Sequence, residues 1–374
     1  MFCPAYDEGR CHSCTLLALP YADQLAGKQA QRRALFAAYH DLAWEPPLAS
    51  AERGYRNKAK LVVGGTVAAP TLGILDADHR GVDLQDCLLY DERLTCAFPV
   101  LAEFVTRAGL VPYAVPERSG ELKHLIVTVS PDGELMVRFV LRSTESLARI
   151  RKHLPWLLGR LPQVAVASVN LLPAHAALLE GEREIPLTEA QALRMTLNRI
   201  DLWLRPQGFF QTNTAVASAL YRQAAAWLAD DPPASLWDLY CGVGGFALHA
   251  AGAGRAVLGV ETSEAAVAGA QRSAADAGLP ARFVADDATA FALSSAHVPD
   301  AVVVNPPRRG IGTALATWLE DSGVTRVLYS SCNAESLVAD LAAMPSLRPV
   351  RALLLDMFPQ TAHDEVLVDL RRAG

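Results

Sequence analysis

A strong excess of charge, a long apolar run and a paired set of cysteines are all absent from this sequence. The formal net charge is −6 over 374 residues, so the chain as a whole lacks the basic excess that is typical of phosphate-binding proteins. No stretch of about 18 uninterrupted apolar residues occurs, and the N-terminal Met-Phe-Cys-Pro lacks the basic and apolar regions of a signal peptide. We therefore expect a cytoplasmic protein with no membrane partner. Since 51% of the residues are hydrophobic, a disordered chain is excluded.

The cysteines are odd in number, at seven, which argues against a disulfide framework in a chain with no export signal. Cys3, Cys11 and Cys14 are closely spaced, and Cys87 or Cys96 would complete a set of four. Four thiolates bind either zinc or an iron–sulfur cluster, and spacing alone does not separate the two. We therefore expect metal ligands, a reactive thiol and buried side chains among the seven.

Two regions of different pattern follow each other along the chain, as its length suggests. Residues 1–204 contain a helical stretch over roughly 21–42 and then a β-rich part. In that part, apolar runs at 125–129 and 135–141 flank the turn signal Ser-Pro-Asp-Gly, which predicts a hairpin. Residues 205–374 form the second region. The helix near the N-terminus is expected to pack on this second region.

The second region has the pattern of βαβ units. Its predicted strands are 236–240, 256–260, 282–285, 301–304 and 324–329. Because helices between parallel strands cover both faces of a sheet, the pattern predicts an α/β fold with a mostly parallel sheet. The last two apolar runs, 350–355 and 366–370, are too close together for a crossover helix. They predict an antiparallel end to the sheet.

A glycine turn, Cys-Gly-Val-Gly-Gly at 241–245, directly follows the first of these strands. A strand, a glycine turn and a helix form a crevice for an adenosyl-type ligand, since Gly242 lets the backbone approach the ligand closely. Glu261, at the end of the next strand, is placed to bind a ribose diol, and Asp287, after the third strand, to meet the adenine. The spacing does not fit G-x-G-x-x-G and there is no Walker lysine, which favours S-adenosylmethionine over NAD or another nucleotide.

Cys332 follows the strand at 324–329 and lies on the same rim of the sheet as the glycine turn and Asn305. A lone cysteine is usually a small buried hydrophobe. Here a helix is predicted to begin at Ala334, and a helix N-terminus lowers the pKa of a nearby thiol and favours nucleophilic attack. Such a thiolate activates C5 of a uracil by adding to C6, after which a general base removes the C5 proton. Glu365 is the candidate base; outside this context it would be a solvated charge before the last strand.

Further groups on this rim suit a pyrimidine. Asn305 closes the fourth strand ahead of Pro306 and Pro307, which hold the loop extended. Its amide offers a donor and an acceptor, matching N3–H and a carbonyl oxygen of uracil. Phe209 offers a stacking surface for the base, and Gln211 offers a polar contact to the cofactor.

Five motifs of the second region occur in a recognisable order. They are Phe209-x-Gln211-x-Asn213, Asp238-Leu239-Tyr240-Cys241-Gly242-Val243-Gly244, Asn305-Pro306-Pro307-Arg308, Ser331-Cys332-Asn333 and His363-Asp364-Glu365. Together they resemble the RNA (uracil-C5)-methyltransferase family. The resemblance implies a class I, Rossmann-like methyltransferase domain at 205–374, with Cys332 as nucleophile and Glu365 as base. The residues it implies around cofactor and base are Gln211, Tyr240, Gly242, Glu261, Asp287 and Asn305. Many members carry Asp at the position of Asn305, so a hydrogen-bonding role is expected there rather than a charged one.

Within the family, this chain resembles the branch that acts on 23S ribosomal RNA. In that branch a similar set of cysteines holds a [4Fe–4S] cluster ahead of the catalytic domain. The implied ligands are Cys3, Cys11, Cys14 and Cys87. Residues 1–204 would then be a β-rich α+β domain that binds RNA, with the cluster in a structural role. Because the first cysteine is residue 3, no room is expected for the OB-type barrel that begins a longer relative. This matches the shorter 23S rRNA enzyme of the family.

The resulting hypothesis is a monomeric, cytoplasmic enzyme that methylates C5 of a uracil in 23S rRNA. A transfer-RNA uracil-C5 methyltransferase would share every catalytic residue, but it should not need the four cysteines. The other alternative is a non-catalytic iron–sulfur module that binds RNA. The presence of both Cys332 and Glu365 argues against that module.

Overall fold

The structure, a computed structural model, describes residues 1–373, and the chain divides into two units. The first unit comprises Met1–Cys14, Glu52–Met195 and Arg205–Gln207. The second unit comprises Thr15–Ala51, Thr196–Leu204 and the residues from Gly208 onwards. The domain boundary predicted between residues 204 and 205 stays a prediction, because each unit draws on several stretches of chain.

The elements follow the predicted change of pattern along the chain. Within residues 1–373 the helices are α1 (Pro4–Asp7), α2 (Tyr21–Leu35), α3 (Glu92–Arg107), α4 (Leu147–Arg160), α5 (Thr214–Asp230), α6 (Gly245–Ala250), α7 (Glu264–Ala277), α8 (Ala288–Ser294), α9 (Gly312–Asp321) and α10 (Ala334–Leu341). The strands are β1 (Ala43–Trp44), β2 (Lys58–Gly65), β3 (Pro70–Leu75), β4 (Gly81–Asp83), β5 (Leu122–Val129), β6 (Leu135–Leu141), β7 (Val164–Leu171), β8 (Arg183–Pro186), β9 (Leu193–Leu197), β10 (Ile200–Leu204), β11 (Ser235–Leu239), β12 (Ala256–Glu261), β13 (Ala281–Ala285), β14 (Ala301–Val304), β15 (Arg326–Ser331), β16 (Leu347–Leu355) and β17 (Glu365–Arg372).

The first unit contains a seven-stranded sheet in the order β4-β3-β2-β5-β6-β7-β8. The predicted hairpin is confirmed as β5 and β6. The β6 and β7 strands run parallel and are connected through α4, whereas the other neighbours are antiparallel. Apolar side chains of one face form a core with α3 and α4. Successive side chains of a strand point to opposite faces, so Lys60 and Arg138, in register across Ile126, lie on the other face.

The second unit contains an eight-stranded sheet in the order β1-β16-β17-β15-β14-β11-β12-β13. The strands β11 to β15 pair in parallel, and β17 lies antiparallel to both β15 and β16. The predicted parallel sheet and its antiparallel end are therefore confirmed. Apolar residues of these strands and of the surrounding helices form the core of this unit.

The helix predicted over residues 21–42 is shorter than expected, because α2 ends at Leu35. Phe36 is the C-cap and is 1% exposed. Its side chain and that of Leu42 enter the core of the second unit, and the chain between them turns rather than continuing as a helix. The α2 helix belongs to the second unit.

Within residues 1–373, every helix is too short or too polar to cross a lipid bilayer.

Candidate active site

Predicted site residues lie in one row at the carboxyl edge of the eight-stranded sheet. Leu239 of β11 pairs with Val260 of β12 and with Val304 of β14, and Val304 pairs with Tyr329 of β15. The next residues of these strands are therefore level with one another: Tyr240, Glu261, Asn305 and Ser330. Ligands of open α/β sheets bind outside this edge.

Cys332 and Glu365 meet at the antiparallel end of the same edge. Ser331, the last residue of β15, pairs with Val366, and Glu365 begins β17 directly before it. The register therefore places Cys332 beside Glu365. The negative charge of Glu365 acts on Cys332 and raises the pKa of its thiol, as expected for close neighbours. A thiol and a carboxyl group thus face one part of the edge.

Burial changes the pKa of the Glu365 carboxyl group. Glu365 is 1% exposed, and this burial raises its pKa to about 7. The hydrogen bond that Ser330 Oγ donates to Oε1 opposes the rise, and the charge of Asp364 adds to it. A carboxyl group with a pKa near neutrality both takes up and releases a proton under ordinary conditions, which suits a general base.

The thiol of Cys332 is half-buried, and burial is the largest cause of its raised pKa. Glu365 raises the pKa further, while Arg308 lowers it through its charge and a hydrogen bond to the thiol. The lowered pKa predicted from the helix N-terminus is therefore wrong for this structure, because desolvation and a neighbouring carboxylate outweigh the cation. Arg308 is a functional candidate to which the sequence interpretation gave no role, although it lies in the Asn-Pro-Pro-Arg motif.

Two contacts fix the loop that holds Arg308: one to Asn333, directly after Cys332, and one to α10. The amide Nδ2 of Asn333 donates to the carbonyl oxygen of Arg308 at 2.8 Å. The backbone N–H of Ile311 donates to Asp340 Oδ2 on α10 at 2.9 Å. Gly310 has φ of 82°, and a Cβ there would lie 2.3 Å from Asp340 Oδ2, so a side chain cannot be accommodated at this position.

The α2 helix supports the connection that leads into Glu365. Lys28 is 2% exposed. Its Nζ lies 2.6 Å from Asp356 Oδ1 and donates to the carbonyl oxygens of Phe358 at 3.2 Å and His363 at 2.8 Å. All three acceptors belong to the connection between β16 and β17. One buried ammonium group therefore holds this whole connection together through charge-assisted hydrogen bonds.

Gln24 and Arg32, one helical turn before and after Lys28, act on the same connection. Gln24 Nε2 donates to Gln360 Oε1 at 2.9 Å, and its Oε1 accepts the backbone N–H of Gln360 at 3.0 Å. Arg32 Nε lies 3.1 and 3.0 Å from the two carboxylate oxygens of Asp364, the residue before the candidate base. We call Gln24, Lys28 and Arg32 the α2 polar stripe. The sequence interpretation missed it, because spaced polar residues on a helix usually form a solvated face.

Glu261 and the glycine turn are joined by hydrogen bonds. The backbone N–H of Gly242 donates to Glu261 Oε2 at 3.2 Å, and that of Ser263 donates to Oε1 at 3.0 Å. Gly242 has φ of 54°, and the non-glycine Tyr240 has φ of 67°, a left-handed conformation that is uncommon outside functional turns. The carboxylate is thus held at the end of β12 beside the backbone of the turn, and its contact with an adenosyl ribose stays a prediction.

The remaining predicted residues differ in what they already contact. Asp287 caps α8, and its Oδ1 accepts the N–H of Ala290 at 2.9 Å, which leaves its other oxygen for a ligand. Asn305 is half-buried directly after β14. Gln211 is 5% exposed, whereas Phe209 is 68% exposed. An exposed phenyl ring is available to stack on a base.

Asp238 is a buried acid to which the sequence interpretation gave no role. It is fully buried on β11, its Oδ2 accepts the N–H of Ala247 at 2.8 Å, and its Oδ1 has no partner within residues 1–373. Burial raises the pKa of Asp238 to about 7. The hydrogen bond from Ala247 lowers this pKa, and the charge of Glu261 raises it. A buried oxygen without a partner is costly, which makes Asp238 a candidate for contact with a polar group of the cofactor. Its place in the Asp-Leu-Tyr-Cys-Gly motif is the sequence signal that could have identified Asp238 as a site residue.

The predicted metal ligands Cys3, Cys11, Cys14 and Cys87 line one cavity of about 210 Å³ in the first unit. Burial, followed by the charges of Cys87, Cys11 and Cys3, raises the pKa of Cys14 to about 12, so the four sulfurs are electrostatic neighbours. The exposed Cys96 on α3 does not line this cavity. In the described part of the chain, no three His, Cys, Asp or Glu side chains are grouped closely enough to hold a metal ion.

The fold and the edge residues together define a class of protein. An open sheet with an antiparallel end, a glycine turn after β11 and an acid at the end of β12 are the features of a class I S-adenosylmethionine-dependent methyltransferase. Two family models match in this unit. The model described as "Methyltransferase domain" matches residues 237–308, and the model described as "tRNA (Uracil-5-)-methyltransferase" matches residues 289–373.

Full-length relatives narrow this class to one family. The 23S rRNA (uracil(747)-C(5))-methyltransferase of Edwardsiella ictaluri is 50% identical over 376 residues, which cover 100% of each chain. The enzyme of the same name from Citrobacter koseri is 47% identical over 374 residues, again with 100% of each chain covered. The chain belongs to the 23S rRNA (uracil-C5)-methyltransferase family, and the family predicted from the five motifs is confirmed.

A solved structure shows the same fold. The tRNA (uracil-54, C5)-methyltransferase of Pyrococcus abyssi, in complex with S-adenosyl-L-homocysteine, is similar with a TM-score of 0.79. The match covers 96% of this chain and 85% of that chain at 24% sequence identity. The predicted class I methyltransferase fold, with a mixed sheet, is therefore confirmed.

Proposed function

We propose that this chain methylates C5 of a uracil in 23S rRNA, at the position equivalent to 747, and so forms 5-methyluridine. The observation on which this depends most is the position of Cys332 beside the buried Glu365, which follows from the pairing of Ser331 with Val366. The proposal is supported by full-length similarity to enzymes named for this reaction. S-adenosylmethionine would supply the electrophilic methyl group: its bond between sulfur and the methyl carbon breaks as the C5–CH3 bond forms, and S-adenosylhomocysteine leaves.

In the first step, Cys332 Sγ reacts as the thiolate, its proton having left to solvent, and forms a bond to C6 of the uracil. The electron pair of the C5=C6 double bond moves towards C5 and the C4 carbonyl oxygen, and C5 becomes nucleophilic enough to take a methyl group. Arg308, which is hydrogen-bonded to the thiol, stabilises the thiolate. Asn305, one strand away at the same edge, can donate to the carbonyl oxygen as its charge grows.

In the second step, Glu365 accepts the proton from the methylated C5. The electron pair of the broken C5–H bond re-forms the C5=C6 double bond, the bond between Sγ and C6 breaks, and Cys332 leaves as the thiolate. Because the pKa of Glu365 is raised to about 7, its carboxylate is a stronger base than an ordinary glutamate and still returns the proton to solvent. The uracil gains a methyl group and loses one proton.

The target uracil must leave its stack for this chemistry, because the thiol and the methyl donor have to reach the ring together. Enzymes that react with a base inside a structured nucleic acid usually extrude it into a pocket. The exposed ring of Phe209 offers a surface on which the extruded base or a neighbour can stack.

The test of this proposal is methyl transfer from labelled S-adenosylmethionine, with anaerobically purified protein, to unmodified 23S rRNA and to transfer RNA in parallel. We expect label at C5 of one uracil of 23S rRNA, and loss of the label when that uracil is replaced by cytosine. Label in transfer RNA alone would overturn the choice of substrate but keep the chemistry. No label in either RNA would support the non-catalytic module.

We further propose that Cys3, Cys11, Cys14 and Cys87 hold a [4Fe–4S] cluster. The support is a donor set of four soft sulfurs around one cavity. Because these side chains are not grouped closely enough in this structure to hold a metal ion, cluster binding requires the four sulfurs to move closer together. Arg56 and Lys60 line the same cavity, and their charges would offset the negative charge of four thiolates and the cluster. Since the methylation steps move no unpaired electron, the cluster's role would be to hold the first unit in shape for RNA.

Metal analysis of protein purified without oxygen tests the cluster. We expect about four iron and four sulfide per chain, with loss of both in Cys87→Ser and retention of both in the matched variant Cys96→Ser. Bound zinc with no sulfide would overturn the cluster and keep the ligand set. Equal iron in the two variants would exclude Cys87 as a ligand.

A cytoplasmic location and a monomeric state complete the proposed function, since the substrate is ribosomal RNA and one chain contains both candidate catalytic groups. Sedimentation of the purified protein at micromolar concentration tests the second point. A stable dimer would contradict it.

A further inference from the structure

A second cavity in the first unit, of about 630 Å³, shares no lining residue with the cysteine cavity. Its volume lies within the range of roughly 300–1,000 Å³ that is typical of ligand sites. Its lining contains no Asp or Glu, although the chain as a whole has a net charge of −6. The cationic and aromatic residues of the lining are His79, Tyr113, Arg118, Lys123, His124 and His175.

One wall of this cavity is already held in place. Lys123 Nζ lies 4.6 Å from the centre of the Tyr113 ring and donates to the carbonyl oxygen of Ala174 at 2.6 Å. The Tyr113 hydroxyl lies 2.9 Å from His175 Nδ1. The ring of Tyr113 is therefore fixed by a cation on one side and a hydrogen bond at its tip, and an ordered aromatic ring loses little entropy when a ligand stacks on it.

The imidazole of His124 has an unused acceptor. Burial, followed by the charge of Lys123, lowers the pKa of His124 to about 4, so the ring is neutral and has one N–H and one acceptor nitrogen. The ring is hydrogen-bonded to the backbone of Leu179, and Nδ1 has no partner within residues 1–373. The N–H is therefore at Nε2, and Nδ1 is an acceptor that lacks a donor.

We propose that this cavity binds an unpaired nucleotide of the RNA substrate, distinct from the uracil that is methylated. The base stacks on Tyr113, one of its N–H groups donates to His124 Nδ1, and the phosphate approaches Arg118, which is exposed at the cavity. A free carboxylate or phosphate would suit the cations but would give His124 no donor, whereas a nucleotide satisfies both. Unpaired bases are the parts of RNA that proteins recognise by stacking and edge contacts.

The inference depends on the proposed function, which it deepens by naming a second point of contact with RNA. The experiment compares Arg118→Glu and His124→Leu with the matched control Arg151→Glu, an exposed arginine on α4 outside the cavity. We expect Arg118→Glu and His124→Leu to raise the KM for RNA about tenfold or more. For these two variants we expect kcat within about twofold and an unchanged KM for S-adenosylmethionine, because the reacting groups are untouched. The control should behave as the wild type.

Ultraviolet crosslinking to the RNA gives a second readout that does not depend on turnover. We expect crosslinks in the tryptic peptides 108–118 and 124–138, which contain Tyr113 and His124. Thermal melting identifies any variant that fails to fold, and if His124→Leu fails then the exposed Arg118→Glu decides. Wild-type KM in Arg118→Glu, with crosslinks mapping elsewhere, would overturn the pocket alone. A wild-type protein that neither methylates nor binds RNA would overturn the proposed function.

Discussion

The two large sheets of this protein place their polar groups differently. In the eight-stranded sheet the candidate catalytic groups lie at strand ends, where Cys332 directly follows β15 and Glu365 begins β17. In the seven-stranded sheet the polar groups lie on a face, as Lys60 and Arg138 do in register across Ile126. The groups at the edge of a sheet come from short contiguous segments at the strand ends. The groups on a face come from every second residue of strands that are distant in the sequence. Groups at an edge are therefore visible as sequence motifs, and a cluster of polar groups on a face is not.

The largest effect that separates the two regions should come from the thiol at the edge. We expect Cys332→Ala to lower kcat roughly 10⁴-fold or more, because the covalent activation of C5 is lost. RNA binding should remain, and it is measured by fluorescence anisotropy alongside methyl transfer. The matched control is Cys96→Ala at an exposed cysteine, which should retain activity. Full turnover by Cys332→Ala would contradict a covalent mechanism.

Glu365→Gln should lower turnover by roughly 10²–10⁴-fold, because removal of the C5 proton is blocked while the shape of the side chain is kept. The Cys332–RNA adduct should then accumulate after methyl transfer. A shifted protein band on a denaturing gel, containing label from S-adenosylmethionine, is the measurement. If methyl is transferred and no shifted band forms, another group is the base and the edge is organised differently.

Lys28→Met tests whether the α2 polar stripe stabilises the connection between β16 and β17 that leads to Glu365. Asp356 is fully buried and its Oδ2 already lacks a partner within residues 1–373. Loss of Lys28 should therefore reduce the free energy of unfolding by about 3–5 kcal/mol. Thermal and urea unfolding measure this, and the double variant Lys28→Met with Asp356→Leu should recover part of the loss. A single variant as stable as the wild type would show that the buried ion pair does not hold this connection.

The smallest effect concerns pH and the state of Glu365. Because the pKa of Glu365 is raised to about 7, the ionised base predominates above pH 7 and the protonated form below it. We expect kcat to fall about tenfold per unit of pH below 7, and the raised pKa of Cys332 acts in the same direction. In Glu365→Gln, adduct formation should show no dependence from a carboxyl group near pH 7, because Glu365 acts only after the adduct has formed, and should keep the dependence that comes from the thiol. A kcat that is constant from pH 5.5 to 8 would argue against Glu365 as the base.

Much of the second unit was predictable because its signals are local. Short apolar runs predicted β11 to β14 to within about two residues. The short gap between β16 and β17 predicted their antiparallel pairing. The motifs of the candidate site were visible for the same reason, since each lies in one short segment at a strand end. The position of Cys332 beside Glu365 follows from strand order and register, once the sheet is known.

The sequence by itself determined the class of fold, the order of the motifs and the family, because apolar periodicity, turn residues and short motifs depend on neighbours along the chain. Only the tertiary structure decided the raised pKa of Cys332, the contact of Lys28 with Asp356 and the cavity beside His124. Lys28 and Asp356 are 328 positions apart, so no local pattern links them. Burial and electrostatic shifts are sums over atoms from many distant segments, and they exist only once the chain has folded.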